Sequence, residues 1–106
     1  MALKRERGSN KTKGLCKLVI DEELTIYVIE ALKQAFSEEI DCYDRFELKL
    51  ADVEEIDSAG IQLLLAFRNE LARKNKELKI TAVSAVVAKF MESYGVSDSF
   101  NIRDAA

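Results

Sequence analysis

The sequence has no histidine, no proline and no tryptophan, and only four glycines and two cysteines in 106 residues. Without histidine, no side chain has an ordinary pKa suited to a general base near neutral pH. Ser–His–Asp and Cys–His catalytic sets are excluded for the same reason, so an enzyme is not expected. Cys16 and Cys42 do not make a zinc site at their spacing, and no disulfide framework is expected. A reducing cytoplasm is the simplest setting. The lack of proline and scarcity of glycine leave few hinges. No apolar run approaches the roughly 20 residues of a membrane-spanning helix. No apolar stretch of the signal-peptide kind follows the charged N-terminus. Membrane insertion is therefore not expected.

What is present begins with an uneven charge. The chain carries −3 overall. Residues 1–14 hold Lys4, Arg5, Arg7, Lys11 and Lys13 against Glu6, a local +4 that leaves −7 on the remainder. An acidic body repels phosphates and argues against nucleic acid as a partner. The basic stretch lacks apolar periodicity and reads as a flexible tail, so one domain is expected over 15–106.

The pattern at the centre runs from Phe46 to Asn75. Phe46, Leu48 and Leu50 alternate with Glu47 and Lys49, a strand signature. Leu63, Leu64, Phe67 and Leu71 then recur at helical spacing. Between them Ile56-Asp57-Ser58-Ala59-Gly60 forms a short polar elbow. It places the Ser58 hydroxyl at a helix start, where backbone N–H groups lack helical partners. Ile61 and Leu65 extend the apolar arc on one side, and whether they belong to the core or to an exposed rim stays open.

Strands are also expected near Leu15–Ile20 and Leu78–Val83. Helices follow each, with Val28, Ile29, Leu32, Ala35 and Phe36 marking the first and Val87, Phe90, Met91 and Tyr94 the last. Thr25 is a candidate cap for the first helix and Ser84 for the last. Gly95 is a suitable stop. Leu24-Thr25-Ile26-Tyr27 reads either as the end of a strand or as the start of a helix. Val96, Phe100 and Ile102 either tuck back or pair as an edge strand. Strand and helix alternate every 30 residues or so, which predicts an α/β fold with a small, mostly parallel sheet. The carboxyl ends of such strands gather ligands and partners. Residues 21–27, 54–60 and 83–86 are accordingly expected on one rim, with Thr25, Ser58 and Ser84 together.

The strand–helix core with Asp57-Ser58-Ala59-Gly60 resembles the STAS domain, the family of bacterial anti-sigma factor antagonists. The resemblance runs from about Leu15 to Ile102. It includes the Leu24-to-Leu32 stretch and Ser84-Ala85-Val86-Val87. Lys49 departs from it, because the family commonly carries an acid there, and so does Val28, where a Thr often caps the helix. The resemblance implies a protein-binding switch. The matching serine, Ser58, would be phosphorylated by an anti-sigma factor that is itself a kinase. The unphosphorylated form would bind that kinase and free the sigma factor. Thr25, Tyr27, Asp57, Ala59, Gly60, Ile61 and Gln62 would line the partner surface. The kinase would bring ATP and magnesium, so no cofactor is expected in this chain. Leu24-Thr25-Ile26-Tyr27 and Gln62-Leu63-Leu64 look most like a branch of short STAS proteins. That branch includes accessory subunits of lipid-transport ABC systems and chemotaxis-associated proteins. It implies a rival reading, a constitutive subunit docked on a transporter ATPase without phosphorylation.

Overall fold

The computed structural model describes residues 3–5, 14–96 and 101–102, the first and last of these as backbone alone. Among the described residues, five strands and three helices appear in the order β1 (Leu3–Arg5), β2 (Leu15–Leu24), α1 (Ile29–Glu39), β3 (Arg45–Ile56), α2 (Ser58–Arg73), β4 (Glu77–Val83), α3 (Ala85–Ser93) and β5 (Asn101–Ile102). They form one sheet in the order β1-β2-β3-β4-β5. β1 runs antiparallel to β2, and the other pairs are parallel. The mostly parallel α/β architecture expected from the sequence is present. The residues of β1 fall within the stretch read as a flexible tail. Their backbone instead pairs with Leu18–Ile20 as an edge strand. Residues 1–2 and 6–13, the rest of that stretch but for Gly14, lie outside the described residues.

Alternation decides which strand positions are buried. Cys16, Leu18 and Ile20 of β2 and Phe46, Leu48 and Leu50 of β3 are all at most 2% exposed, while Lys17, Val19, Glu47 and Lys49 between them are half-buried. The helical stripes meet this surface. Phe67 of α2 stacks on Phe36 of α1, with ring centroids 4.0 Å apart, and meets Phe46 of β3 edge-on at 5.7 Å. Such pairs add modestly to burial itself.

The helix ends follow local rules. Ser84 caps α3 by accepting the Val87 N–H at 3.4 Å. Asn75 takes φ 61 after α2 and Gly95 takes φ 68 after α3. The next N–H in each case reaches back to the last turn, Lys76 to the Leu71 carbonyl and Val96 to that of Met91, the Schellman arrangement. Thr25 does not cap α1. That helix follows Val28, which supplies no side-chain cap.

Strand length decides the shape of the functional end. β4 pairs with β3 as far as Leu50↔Val83, whereas β2 stays paired to Leu24↔Ile56. β2 and β3 therefore continue as a two-stranded ribbon six residues past β4, about 20 Å at roughly 3.3 Å per residue. Ser84 lies at the shorter edge, where its N–H donates to the Leu50 carbonyl at 3.1 Å. It does not share a rim with Ser58. This corrects the expectation of one common edge, which treated the strands as ending together.

Candidate functional site at the β3–α2 elbow

The elbow is built on Asp57. Its backbone is extended, with φ −131° and ψ −177°, and α2 begins at the next residue. Oδ1 accepts the Gly60 N–H at 3.1 Å, an N-cap bond. Oδ2 accepts the Ile26 N–H at 3.0 Å from the β2–α1 loop. The Asp57 N–H donates to the Leu24 carbonyl at 3.2 Å. One residue thus ties the end of β2, the following loop and the first turn of α2.

Because the Asp57 carboxylate supplies the cap, the Ser58 hydroxyl is not needed for it. Ser58 is the first residue of α2 and is exposed. Gly60 is buried, since the first turn of α2 lies against the Leu24 carbonyl. Ile61 is 1% exposed and belongs to the core. Ile61 is therefore withdrawn from the partner surface as a contacting side chain, and the buried Gly60 with it. Thr25 is withdrawn too, at 6% exposure. Its hydroxyl donates to the Glu23 carboxylate, and its carbonyl accepts the Val28 N–H at 3.0 Å. A strand end followed by a turn answers the ambiguity at Leu24–Tyr27.

That turn holds up two apolar side chains. Tyr27 is 90% exposed and Ile26 66%. The bond from Ile26 to Asp57 puts them beside the elbow. Sequence reasoning singled out Tyr27 but not Ile26; the signal was an apolar pair, Ile26-Tyr27, at the end of the strand pattern. Gln62 is exposed and Ala59 half-buried. Both line a groove of about 230 Å³ between α1 and α2, together with Ile29, Lys33, Leu63 and Ala66.

The surroundings are acidic. No Lys or Arg occurs in residues 18–32 or 50–67, which hold Asp21, Glu22, Glu23, Glu30, Asp52, Glu54, Glu55 and Asp57. β2 and β3 even set Asp21 beside Asp52 and Glu23 beside Glu55 in register. Among the described residues, no helix is long and apolar enough to cross a membrane.

Comparison with known proteins agrees with the fold. The model of the family described as "Mlab, STAS domain" matches residues 9–103. No curated protein sequence matches the chain. Among solved structures, the anti-sigma factor antagonist SpoIIAA in its unphosphorylated form superposes with a TM-score of 0.79 at 19% identity, covering 99% of this chain and 89% of that one. The phosphorylated form of SpoIIAA from Bacillus is also matched. An anti-sigma factor antagonist from Mycobacterium paratuberculosis gives 0.80 at 18% identity, over 98% and 86%. A sulfate transporter family protein from Wolinella succinogenes gives 0.72 at 18%, over 87% and 79%. At such identities these structures show a shared fold.

Proposed function

The chain belongs to the STAS-domain family, and from that premise we propose that it is a cytoplasmic protein-binding switch of the anti-sigma factor antagonist kind, with Ser58 as the phosphoacceptor. It binds an anti-sigma factor serine kinase when Ser58 is unphosphorylated and releases it when phosphate is added. The observation that carries this reading is the division of labour at the elbow. Asp57 caps α2, which leaves the exposed Ser58 hydroxyl available to a kinase without loss of the fold.

The chemistry of release follows from the setting. A phosphoserine brings a charge of about −2. The N–H groups of the first turn of α2 favour an anion nearby, so the domain tolerates it. The partner face does not. Asp57 repels the phosphate, residues 50–67 contain no Lys or Arg to pair with it, and Lys33 in the neighbouring groove is already paired with Glu30 at 3.7 Å. Burying such a group under a partner without a dedicated cation is costly. Ile26, Tyr27, Ala59 and Gln62 supply the contact surface around it. The kinase brings ATP and magnesium; this chain binds a protein and performs no catalysis.

Incubation with the anti-sigma factor kinase and ATP, followed by mass spectrometry, tests the assignment. Phosphate on Ser58, and none on the Ser58→Ala chain, is the expected result. Phosphate elsewhere, or none, overturns it.

A second reading is favoured by the family description, which names Mlab. In it the same surface docks permanently on a transporter ATPase. A permease and ATPase gene pair beside this gene supports that reading, and an anti-sigma kinase gene supports the switch.

A further inference from the structure

The most exposed apolar side chains at the functional end, Ile26 and Tyr27, sit on a different loop from Ser58, yet one carboxylate joins the two. We infer that Asp57 is a positioning residue that holds the Ile26–Tyr27 tip and the Ser58 elbow as a single partner surface. The inference rests on the proposed switch for the identity of the partner, but not for the coupling itself.

The geometry separates two roles in one side chain. Oδ1 serves the helix by accepting from Gly60 at 3.1 Å. Oδ2 serves the neighbouring loop by accepting from Ile26 at 3.0 Å. A capping residue needs only the first bond. Serine or threonine offers one acceptor oxygen on one side of the elbow, and asparagine offers one acceptor and one donor group. Of the usual capping side chains, only aspartate sets a separate acceptor oxygen toward each of the two loops. The rest of the tip is anchored so that this bond decides its direction. Thr25, the residue before Ile26, is buried and its carbonyl closes a turn with the Val28 N–H. Leu24, before that, accepts the Asp57 N–H. Ile26 and Tyr27 project outward from this turn with the Ile26 N–H held by Asp57. An exposed tyrosine on a held backbone loses less freedom on binding than one on a loose loop, which favours association. The tip is therefore presented ready for an apolar pocket on the kinase, next to the residue that the kinase modifies.

Substitution at Asp57 tests this, read by amide exchange on the full, unphosphorylated chain. In Asp57→Ala the Ile26 and Gly60 amides should both exchange at least tenfold faster than any general increase shared by core amides such as Leu48 and Leu64, whose rates relative to one another stay as in the wild type. In Asp57→Asn one of the two amides should keep its protection and the other lose it, because asparagine keeps an acceptor oxygen on one side and turns an NH2 donor toward the other amide. Unchanged exchange at Ile26 in Asp57→Ala overturns the positioning role, and so does an increase no larger than that of the core amides, which marks general destabilisation. Titration against the anti-sigma factor kinase adds a second arm. Asp57→Ala and Tyr27→Ala should each weaken binding at least about fivefold, and the double variant should lose little more than Tyr27→Ala alone. Full additivity contradicts action through the tip. Binding to the kinase that is absent in the wild type rejects the proposed partner while the exchange result still decides the coupling.

Discussion

A Cβ on Gly60 would stand 2.1 Å from the carbonyl oxygen of Leu24. The obstacle is backbone, so no rotamer change relieves it. The first turn of α2 has to move off the end of β2 to accept any side chain there. Gly60→Ala is therefore expected to destabilise the domain by about 1 to 3 kcal/mol, the usual range for overpacking a close contact. Chemical denaturation measures it. A midpoint equal to that of the wild type would show that the elbow yields freely.

Asp57 and Ser58 should respond differently to truncation. Asp57→Ala removes the cap and should cost about 0.5 to 2 kcal/mol. Ser58→Ala leaves the cap in place and should stay within about 0.5 kcal/mol of the wild type, as for a surface change away from special features. Paired denaturation curves distinguish them, and a larger loss at Ser58 than at Asp57 contradicts the assignment of the cap.

Ile61→Ala should behave as a core deletion. Full burial predicts a cost of about 2 to 5 kcal/mol from lost transfer energy and the cavity left behind. Phe67→Ala should reach about 3 to 5 kcal/mol, since Phe67 touches the rings of both Phe36 and Phe46. Thermal or denaturant unfolding checks both. A near-neutral Ile61→Ala would return that residue to the surface.

Glu70 offers a test of charge on the outer side of α2. Arg73 donates to its carboxylate through Nε at 3.1 Å and Nη2 at 2.5 Å. The hydrogen bonds from Arg73 hold the Glu70 carboxyl below its ordinary 4.5. A group lowered on folding contributes stability above its unfolded pKa and loses it as pH falls through the folded value. The pair is exposed, so the effect on stability is small. A carboxyl-carbon NMR titration should place Glu70 below 4.5 in the wild type and move it upward in Arg73→Ala. The same midpoint in both chains would remove the pair as its cause.

Much of this organisation is legible in the residues. Alternation at Phe46, Leu48 and Leu50 marks β3, and the 3.6-residue spacing of Leu64, Phe67 and Leu71 marks α2. Ser84 and Gly95 mark the ends of α3 by side-chain chemistry and by positive φ. The elbow itself, with Asp57 before Ser58, stands out as a polar break between two strong periodic runs. What is not legible is long-range. That Asp57 rather than Ser58 caps α2 depends on which side chain faces the first-turn N–H groups. That Thr25 is buried depends on its bond to Glu23 and on the turn it closes. The burial of Ile61 depends on how α2 tilts over β2, which a helical wheel does not contain. The separation of Ser84 from Ser58 depends on the registers Leu50↔Val83 and Leu24↔Ile56. Composition also gave no sign of β1, because its pairing with β2 uses backbone groups on an edge.

The central claim is that charge on Ser58 controls binding. The most direct measurement is calorimetric titration of the anti-sigma factor kinase with the unphosphorylated chain and with the chain phosphorylated at Ser58. The first is expected to bind and the second to bind at least about a hundredfold more weakly, equivalent to about 2.7 kcal/mol. Equal affinity for both forms would contradict the switch and leave the constitutive subunit as the better description.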